Sequence, residues 1–539
     1  MKKILLIILF VFIAVSFLTL PRNPLLNDDA ALYALAAKNA IIHNQWLAQF
    51  VTPGDLSSFL DKPPLGIWLL AWIPKIVGIN ELTIHIPNVI YYVLLLLTLY
   101  WGLSKIATKE LAFNSTLIAS TSLALVVYSR APKLDVLLAL FIFTAHLSLY
   151  AYFKKDNPAY LYPFTLSLAF GFLIKSGFGW IMAGLLLLAL FIFNPDARQK
   201  LLKVLFSRHF ILNLMLLFVI VGGALYAQSF VLKDQWLPYL KSITIQSKYN
   251  TSYLGFGFNY SIIGLLLITL FPWMPLFFKG LRFKLINKEL TLSNFCNLWF
   301  WSNFVFFLFF FRQTDFRTFT ILVPPMAILA GLGLSEPATA VPAGRQERRG
   351  SLGTIIWGFF YLITFSLILV SISLRPVNPQ GFSLIDAIVP VAFFVVSLLS
   401  LTIYFWKPSA PKLVISFVLI CLSYSVLFWN TKPIANAFNP DLKWPQIIRE
   451  YREKGYPLYI YRPPDRQLFY SPDLFWVDFM SGPADRYFSD RENLLRDLTL
   501  GKAVILSDTK SWEKLGLKGT SIAQDSYSSL IKMAQLSLR

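Results

Sequence analysis

The chain has 539 residues, of which 56% are hydrophobic, 16% are aromatic and only 14% are charged. Soluble globular chains carry about 25% charged residues, so this composition excludes an ordinary soluble protein as well as a disordered chain. Two cysteines are too few for a disulfide scaffold. The net charge of +20 does not indicate a nucleic-acid partner, because membrane proteins collect Lys and Arg in cytoplasmic loops and at lipid phosphates. We expect a chain that lies mostly in a membrane.

Uncharged apolar runs recur along the first 430 residues. A transmembrane helix needs about 20 largely apolar residues. Thirteen runs qualify, at 4–20, 84–104, 111–129, 136–153, 159–174, 176–193, 210–232, 256–278, 290–311, 318–335, 353–374, 387–406 and 413–430. The first run is long for a signal peptide and no small-residue cleavage site follows it, so we interpret it as an uncleaved anchor.

The charges of the loops orient these spans. If the N-terminus is cytoplasmic, the cytoplasmic segments carry nineteen Lys and Arg residues, and the short external loops carry nine. This bias agrees with the positive-inside rule. An odd number of spans then places the C-terminus outside the cytoplasm.

The composition changes near residue 430, which predicts two domains. Residues 1–430 form the transmembrane domain, and residues 431–539 read as a small soluble α/β domain with sixteen basic and thirteen acidic residues. Within the second domain, Tyr456–Tyr461 and Ala503–Leu506 are typical of strands, and Glu492–Leu498 is typical of a helix. We expect this domain to be extracytoplasmic.

The first external loop, at about 21–83, is the other large segment outside the spans. An apolar stripe at helical spacing runs through Ala30–Trp46, and Pro63-Pro64 precedes a second apolar segment, Leu65–Val77. This pattern predicts two short helices at the membrane surface.

Carboxylates and cations gather where the predicted helices reach the outer surface. The acidic residues are Asp28, Asp29, Asp55, Asp61, Glu81, Asp135, Asp234 and Asp315, and the basic residues are Lys62, Arg130, Lys133, Lys175, Arg312 and Arg317. Ion-coupled transporters usually carry charged residues near the bilayer centre, whereas these lie at one face. The pattern favours an enzyme that handles an anionic lipid headgroup. A polytopic transporter or flippase is the alternative, and a structural membrane protein is the third class.

Several motifs carry a resemblance to a known family. The stretch 27–33 places Asp28 and Asp29 five and four residues before Tyr33, and 61–65 reads Asp-Lys-Pro-Pro-Leu. Further matches are Arg130 with Asp135, Lys175-Ser176-Gly177, Pro272-Trp273 and Arg312–Pro325. In order and spacing, these motifs resemble the bacterial C-type (GT-C) glycosyltransferases. Within that class they are closest to the lipid A aminoarabinose transferases and the protein O-mannosyltransferase-like group.

The resemblance implies a GT-C fold of about thirteen transmembrane helices. It also implies transfer of a sugar from a polyprenyl-phosphate donor to lipid A, a protein or another glycan. That reaction would take place on the outer face of the bacterial inner membrane. Its partners would be the donor, the acceptor and membrane lipids, and we expect a monomer. A phosphate leaving group needs positive charge as the glycosidic bond breaks. Lys62 is the first candidate for that contact, followed by Lys175, Arg312 and Arg317.

The register set by Tyr33 makes Asp29 the counterpart of the family's catalytic aspartate, with Asp28 as the neighbouring candidate. The resemblance also makes Tyr33, Asp61, Arg130 and Asp135 candidates for orienting the substrate. Structural alternatives stay open at this point. The acidic pair is also suited to capping a helix, and Lys62 to anchoring at headgroups. Asp135 is equally suited to capping a helix or to pairing with Arg130.

The sequence departs from the family pattern in ways that bear on metal binding. Asp61 stands where the family commonly has Glu before the Lys, and Ala30 stands where an acidic residue usually follows the catalytic Asp. Gln246 stands near the place where some relatives carry a His or Glu that holds a metal. One carboxylate is a poor site for zinc, which normally has three or four protein ligands. The sequence therefore gives little support for a divalent metal, and no cofactor is predicted.

Overall fold

The structure is a computed structural model. It describes residues 29–50, 59–244, 255–271, 273–281, 289–311, 316–335, 444–461, 486–488, 490–498, 503–508, 519–524 and 529–534, with a few isolated positions. The predicted spans at 4–20, 353–374, 387–406 and 413–430 lie outside the described residues, apart from two isolated positions in the last two, and so do the candidate residues Asp28 and Arg312.

Helices make up the described part of the transmembrane domain. They are α1 Asp29–Ile42, α2 Leu65–Val77, α3 Glu81–Ile106, α4 Lys109–Ser120, α5 Leu123–Tyr128, α6 Asp135–Lys155, α7 Leu161–Lys175, α8 Phe178–Phe193, α9 Pro195–Leu205, α10 Arg208–Leu217, α11 Gly223–Leu232, α12 Trp236–Thr244, α13 Ser261–Thr269, α14 Met274–Gly280, α15 Leu292–Phe310 and α16 Val323–Ser335. Short 3₁₀ segments cover Pro158–Tyr160, Lys233–Gln235 and Phe316–Ile321, and a π-helical turn covers Phe218–Gly222.

Three helices in the described part of the chain are long and apolar enough to cross a membrane. They are Glu81–Ile106, Asp135–Lys155 and the continuous stretch Arg208–Ile243. A fourth span is formed if α8 and α9 are taken together, although the two helices are bent by 118° where they meet. The first three coincide with the predicted spans at 84–104, 136–153 and 210–232, and α8 alone covers the predicted span at 176–193.

Some predicted spans are interrupted in the structure. The run at 111–129 breaks between α4 and α5, where the Thr121 hydroxyl bonds the carbonyl of Leu117 at 2.9 Å and the Ser122 hydroxyl bonds that of Ala119 at 2.8 Å. Such hydroxyls compete with the next turn of the helix for its carbonyls. The indole N–H of Trp273 also donates to the Thr121 hydroxyl at 2.9 Å. The prediction of one unbroken helix here is wrong because hydropathy does not register these local bonds.

The predicted runs at 256–278 and 318–335 are also not single helices. The first is divided between α13 and α14, and the second begins with the 3₁₀ segment Phe316–Ile321 before α16. Close backbone packing joins α14 to α16, because a Cβ atom on Gly280 would lie 1.9 Å from the carbonyl oxygen of Leu329. Only glycine allows that approach.

The first external loop contains a helix at each of the two predicted places, but the prediction of a surface position is wrong for α1, because ten of its fourteen residues are buried, most of them in the hydrophobic core. Between α1 and α2 the chain doubles back, with the Leu60 N–H donating to the carbonyl of Gln49 at 2.8 Å. The Asn39 amide donates to the carbonyl of Phe50 at 3.1 Å, which fastens the returning chain to α1. Lys75 places its ammonium 4.6 Å from the ring centre of Trp46, a cation–π contact suited to the membrane interface.

A five-stranded mixed sheet organises the C-terminal segment. The strands are β1 Leu458–Tyr461, β2 Arg486–Phe488, β3 Ala503–Asp508, β4 Gly519–Gln524 and β5 Ser529–Ala534, with helices α17 Trp444–Glu453 and α18 Arg491–Leu498. The order is β2-β1-β3-β5-β4, in which β1 is parallel to both of its neighbours and β5 is antiparallel to β3 and β4. The two predicted strands and the predicted helix are found as β1, β3 and α18, while the domain boundary at 431 stays a prediction.

A buried asparagine holds the loop that precedes α6. The Asn88 amide nitrogen, on α3, donates to the carbonyl of Lys133 at 2.6 Å, to that of Tyr128 at 3.4 Å and to that of Ala131. Asn88 is fully buried, and the loop contains the buried side chain of Arg130. One polar side chain inside an apolar helix thus fixes the position at which α6 begins.

We predict that Asn88→Ala destabilises the protein by about 1–3 kcal/mol, because buried carbonyls lose their donor. The transition in thermal unfolding of the purified protein measures this. Thr98→Ala, on the exposed face of the same helix, removes a bond to its own helix at Leu94 and serves as the matched control. Equal unfolding temperatures for the two variants would contradict the role assigned to Asn88.

Candidate active site

Two candidate residues that are 288 positions apart in the sequence form an ion pair at the start of α1. Asp29, the first residue of that helix, accepts a hydrogen bond and forms an ion pair through Oδ2 with the guanidinium Nη1 of Arg317, which lies in the 3₁₀ segment Phe316–Ile321. The side chains keep 21% and 17% of their surface exposed, so the pair is sheltered and still reachable by a ligand. The carboxylate predicted to be catalytic is therefore held by one of the predicted phosphate ligands.

The charges around Asp29 keep its carboxyl group ionised. Burial by itself raises the pKa of Asp29, but the surrounding cations together lower that pKa by more, and the Arg317 guanidinium contributes most through its charge and its hydrogen bond. Lys62 and Lys175 add smaller lowering effects. The net pKa of Asp29 is below its usual value, so the group is a carboxylate near neutral pH. Three predicted cations act on one predicted carboxylate.

A second ion pair joins the two helices that lead to the site. Lys175, the last residue of α7, donates to Oδ1 of Asp135, the first residue of α6, at 2.5 Å. Burial lowers the pKa of Lys175, and nearby Arg317 lowers it further, while Asp135 partly offsets both effects. The other carboxylate oxygen of Asp135 is buried and has no hydrogen-bond partner among the residues that the structure describes. The sequence left open whether Asp135 caps a helix or pairs with Arg130. In the structure its ion pair is with Lys175.

A third pair lies in the first external loop. The Lys62 ammonium donates to Oδ1 of Asp61 at 2.9 Å and to the Asp61 carbonyl oxygen at 3.1 Å. The Asp61 side chain is 5% exposed and that of Lys62 is 17% exposed. Lys62 is thus paired with Asp61, and its positive charge also lowers the pKa of Asp29.

Two residues that sequence reasoning missed support this loop. The Tyr239 hydroxyl, on α12, lies 3.4 Å from the carbonyl oxygen of Lys62 and accepts a hydrogen bond from the Gln228 amide nitrogen at 3.0 Å. Both side chains are 1% exposed. The signal in the sequence was Gln228, a strongly polar residue inside an otherwise apolar run.

The remaining candidates lie close to these helices. Arg130 is buried in the loop before α6, and burial lowers its pKa to about 9. Lys133, in the same loop, has its ammonium 5.3 Å from the ring centre of Tyr128. Tyr33 lies one helical turn after Asp29 and is 2% exposed, packed within the hydrophobic core. The roles of Tyr33, Asp61, Arg130 and Asp135 in orienting a substrate stay predictions.

In the part of the chain that the structure describes, no group of three His, Cys, Asp or Glu side chains is arranged to hold a metal ion. Each of the three carboxylates of the site has a cation as its partner. Such an arrangement can exchange a carboxylate for a phosphate at each cation. It is suited to a membrane enzyme that binds an anionic lipid headgroup.

The chain is similar in sequence to known proteins. Residues 61–225 match the family model of dolichyl-phosphate-mannose-protein mannosyltransferases. An uncharacterised protein of Aquifex aeolicus (strain VF5) is 25% identical over 385 residues, which cover 70% of this chain and 72% of that protein.

Solved structures share the fold over nearly the whole chain. ArnT from Cupriavidus metallidurans in the apo state superimposes with a TM-score of 0.73 and 16% identity, over 98% of this chain and 97% of ArnT. The same protein bound to undecaprenyl phosphate gives a TM-score of 0.75 and 15% identity over the same shares. Over nearly its whole length the chain therefore has the fold of ArnT, and residues 61–225 are similar to the mannosyltransferase family model.

We predict that Arg317→Gln moves the acidic limb of the pH–rate profile to higher pH. Arg317 holds the pKa of Asp29 below its usual value, so its removal lets that pKa rise, and protonation then begins at a higher pH. The pH dependence of kcat/KM measures the shift. Arg317→Lys keeps a positive charge and should shift the limb less. An acidic limb at the same pH in both variants and in the parent protein would show that Asp29 does not control the rate.

Proposed function

We propose that this protein transfers a sugar from a polyprenyl-phosphate donor to an acceptor at the site formed by α1, α6, α7 and the 3₁₀ segment Phe316–Ile321. The observation that carries the proposal is that Asp29 is paired with Arg317 and that its pKa is also lowered by the charges of Lys62 and Lys175. A sugar leaving from a phosphate needs cations at the phosphate and a carboxylate near the acceptor, and this cluster supplies both.

Lys62, Lys175 and Arg317 bind the donor phosphate in this proposal, together with Arg312. Each of the first three comes from a different part of the chain, and each lowers the pKa of the same carboxylate, Asp29. Charge-assisted hydrogen bonds to phosphate are about twice as strong as neutral ones. As the glycosidic bond breaks, negative charge grows on the phosphate, and fixed cations stabilise that charge most in the transition state.

Asp29 acts on the acceptor, with Asp28 as its neighbour. While Arg317 is paired with Asp29, the carboxylate is a weak base, because its pKa lies below the usual value. A bound phosphate competes with Asp29 for Arg317. As that pairing weakens, the pKa of Asp29 rises, and the group becomes a better acceptor for the proton of the attacking hydroxyl. Binding of the donor thereby prepares the base for the second substrate.

Two comparisons support a polyprenyl-phosphate donor. ArnT, which shares the fold, has been crystallised with undecaprenyl phosphate, and the matching family model concerns dolichyl-phosphate-mannose. The proposed acceptor is lipid A, a protein or another glycan. The proposed setting is the outer face of a bacterial inner membrane, with a cytoplasmic N-terminus, an extracytoplasmic C-terminal domain and a monomeric protein. Donors linked to lipid are required there because nucleotide sugars are cytoplasmic.

We predict that Lys62→Ala weakens binding of polyprenyl phosphate about tenfold or more, since one charged contact to phosphate contributes about 1.5–3 kcal/mol. Titration of the purified protein with undecaprenyl phosphate measures the affinity, and transfer from undecaprenyl-phosphate sugars measures the activity. Lys75→Ala is the matched control, because Lys75 is an exposed lysine of the same loop that packs on Trp46. Unchanged affinity in Lys62→Ala, or an equal loss in Lys75→Ala, would reduce Lys62 to a membrane anchor and remove the main support for the proposal.

A further inference from the structure

A cavity lies at the end of α6 opposite the active site. Asp135 begins α6 beside Lys175, whereas Phe153 lies near its other end, 18 residues later. At about 1.5 Å per residue the two positions are separated by about 27 Å, close to the thickness of the hydrocarbon core. The cavity, of about 240 Å³, is bounded by Phe153 and Leu290 and by charged residues on three segments. It is therefore a separate feature at the other membrane face.

The neighbouring helix α9 fixes the depth of this cavity relative to the lipid. It leaves α8 through a bend of 118°, so it does not continue across the membrane. Ala197 is buried against the protein, whereas Leu202 and Leu205 on another side are 42% and 49% exposed. Phe206, just after the helix, is 91% exposed. A helix with apolar side chains turned outward and Lys203 exposed beside them is typical of the membrane interface. The cavity thus lies at the level of the lipid headgroups.

Charges of both signs line the cavity. Lys154 and Lys200 supply positive charge, and Asp196 and Glu289 supply negative charge. Lys200 bonds the carbonyl of Phe153 at 2.8 Å and also pairs with Asp156 at 3.3 Å. For Lys154, Asp196 and Glu289, the structure shows no ion pair with another described residue. Opposite charges that share a cavity without pairing leave room between them for a ligand that carries both signs.

We propose that this cavity binds the headgroup of an amine-bearing phospholipid, a phosphoethanolamine group. The phosphate would meet the lysines, and the primary ammonium would meet Asp196 and Glu289. Water takes about 30 Å³ per molecule in the liquid, so the cavity accommodates a polar group several times that size. An anionic headgroup without an amine would leave both carboxylates without a partner and close to its own charge. The acyl chains would run along the exposed leucines of α9.

The test uses the full-length protein, purified in detergent and stripped of lipid. Native mass spectrometry counts bound phospholipid during titration with dioleoyl phosphatidylethanolamine, its N,N-dimethyl derivative, phosphatidylcholine and phosphatidylglycerol. We expect affinity to fall in that order for the first three, by about tenfold overall, because methylation removes the N–H donors that the carboxylates require. We expect phosphatidylglycerol to bind more weakly than phosphatidylethanolamine.

Variants then connect the preference to the cavity. Asp196→Asn and Glu289→Gln should lower the affinity for phosphatidylethanolamine to that for phosphatidylcholine, while glycosyl transfer and unfolding temperature stay unchanged. Glu110→Gln, an exposed carboxylate at the start of α4, is the matched control and should keep the preference. Equal binding of the amine and choline lipids, strongest binding of phosphatidylglycerol, or loss of the preference in Glu110→Gln would overturn the proposal. Because the lipid series needs no mutation, a variant that fails to fold does not affect the test.

Discussion

The ion pair between Asp29 and Arg317 ties the active site together. It joins the start of α1 to a 3₁₀ segment, since the two residues are 288 positions apart in the sequence, and it keeps both side chains inside a sheltered site. A carboxylate and a guanidinium taken out of water are costly unless they are paired, and a pair at a functional site can be exchanged for a ligand. Lys62 and Lys175 also lower the pKa of Asp29, and in the proposed function a donor phosphate replaces the carboxylates as the partner of these cations.

Single polar side chains inside apolar helices place this cluster. Asn88 holds the loop ahead of Asp135, and the Gln228–Tyr239 pair supports the backbone at Lys62. In the low-dielectric interior of a membrane protein a polar group without a partner is costly, so such residues specify one arrangement of the helices around them. The breaks in the helices follow the same rule, since Thr121 and Ser122 end α4 by bonding its own carbonyls. Polar residues within the spans therefore determine where the charged residues of the site stand.

Hydropathy alone predicts the apolar helices Glu81–Ile106 and Asp135–Lys155, and strand propensity alone predicts β1 and β3. Both signals lie in the residues of the element itself, so a single sequence contains them. Motif order also singled out Asp29, Lys62, Lys175 and Asp135. The partners could not be predicted. Asp135 was compared with Arg130, its neighbour in sequence, whereas the structure pairs it with Lys175, forty residues away. Contacts of that kind depend on how helices pack, which a single sequence does not encode in any short window.

The central claim is that Asp29 and the donor phosphate compete for the same cations, and Asp29→Asn tests it most directly. The variant keeps the size and shape of the side chain and removes its charge, which frees Arg317. Two quantities are measured on one preparation, the affinity for undecaprenyl phosphate and the rate of sugar transfer. The account predicts tighter binding of the lipid phosphate together with a loss of turnover of about 10²–10⁴. Weaker binding, or turnover close to that of the parent protein, would contradict it.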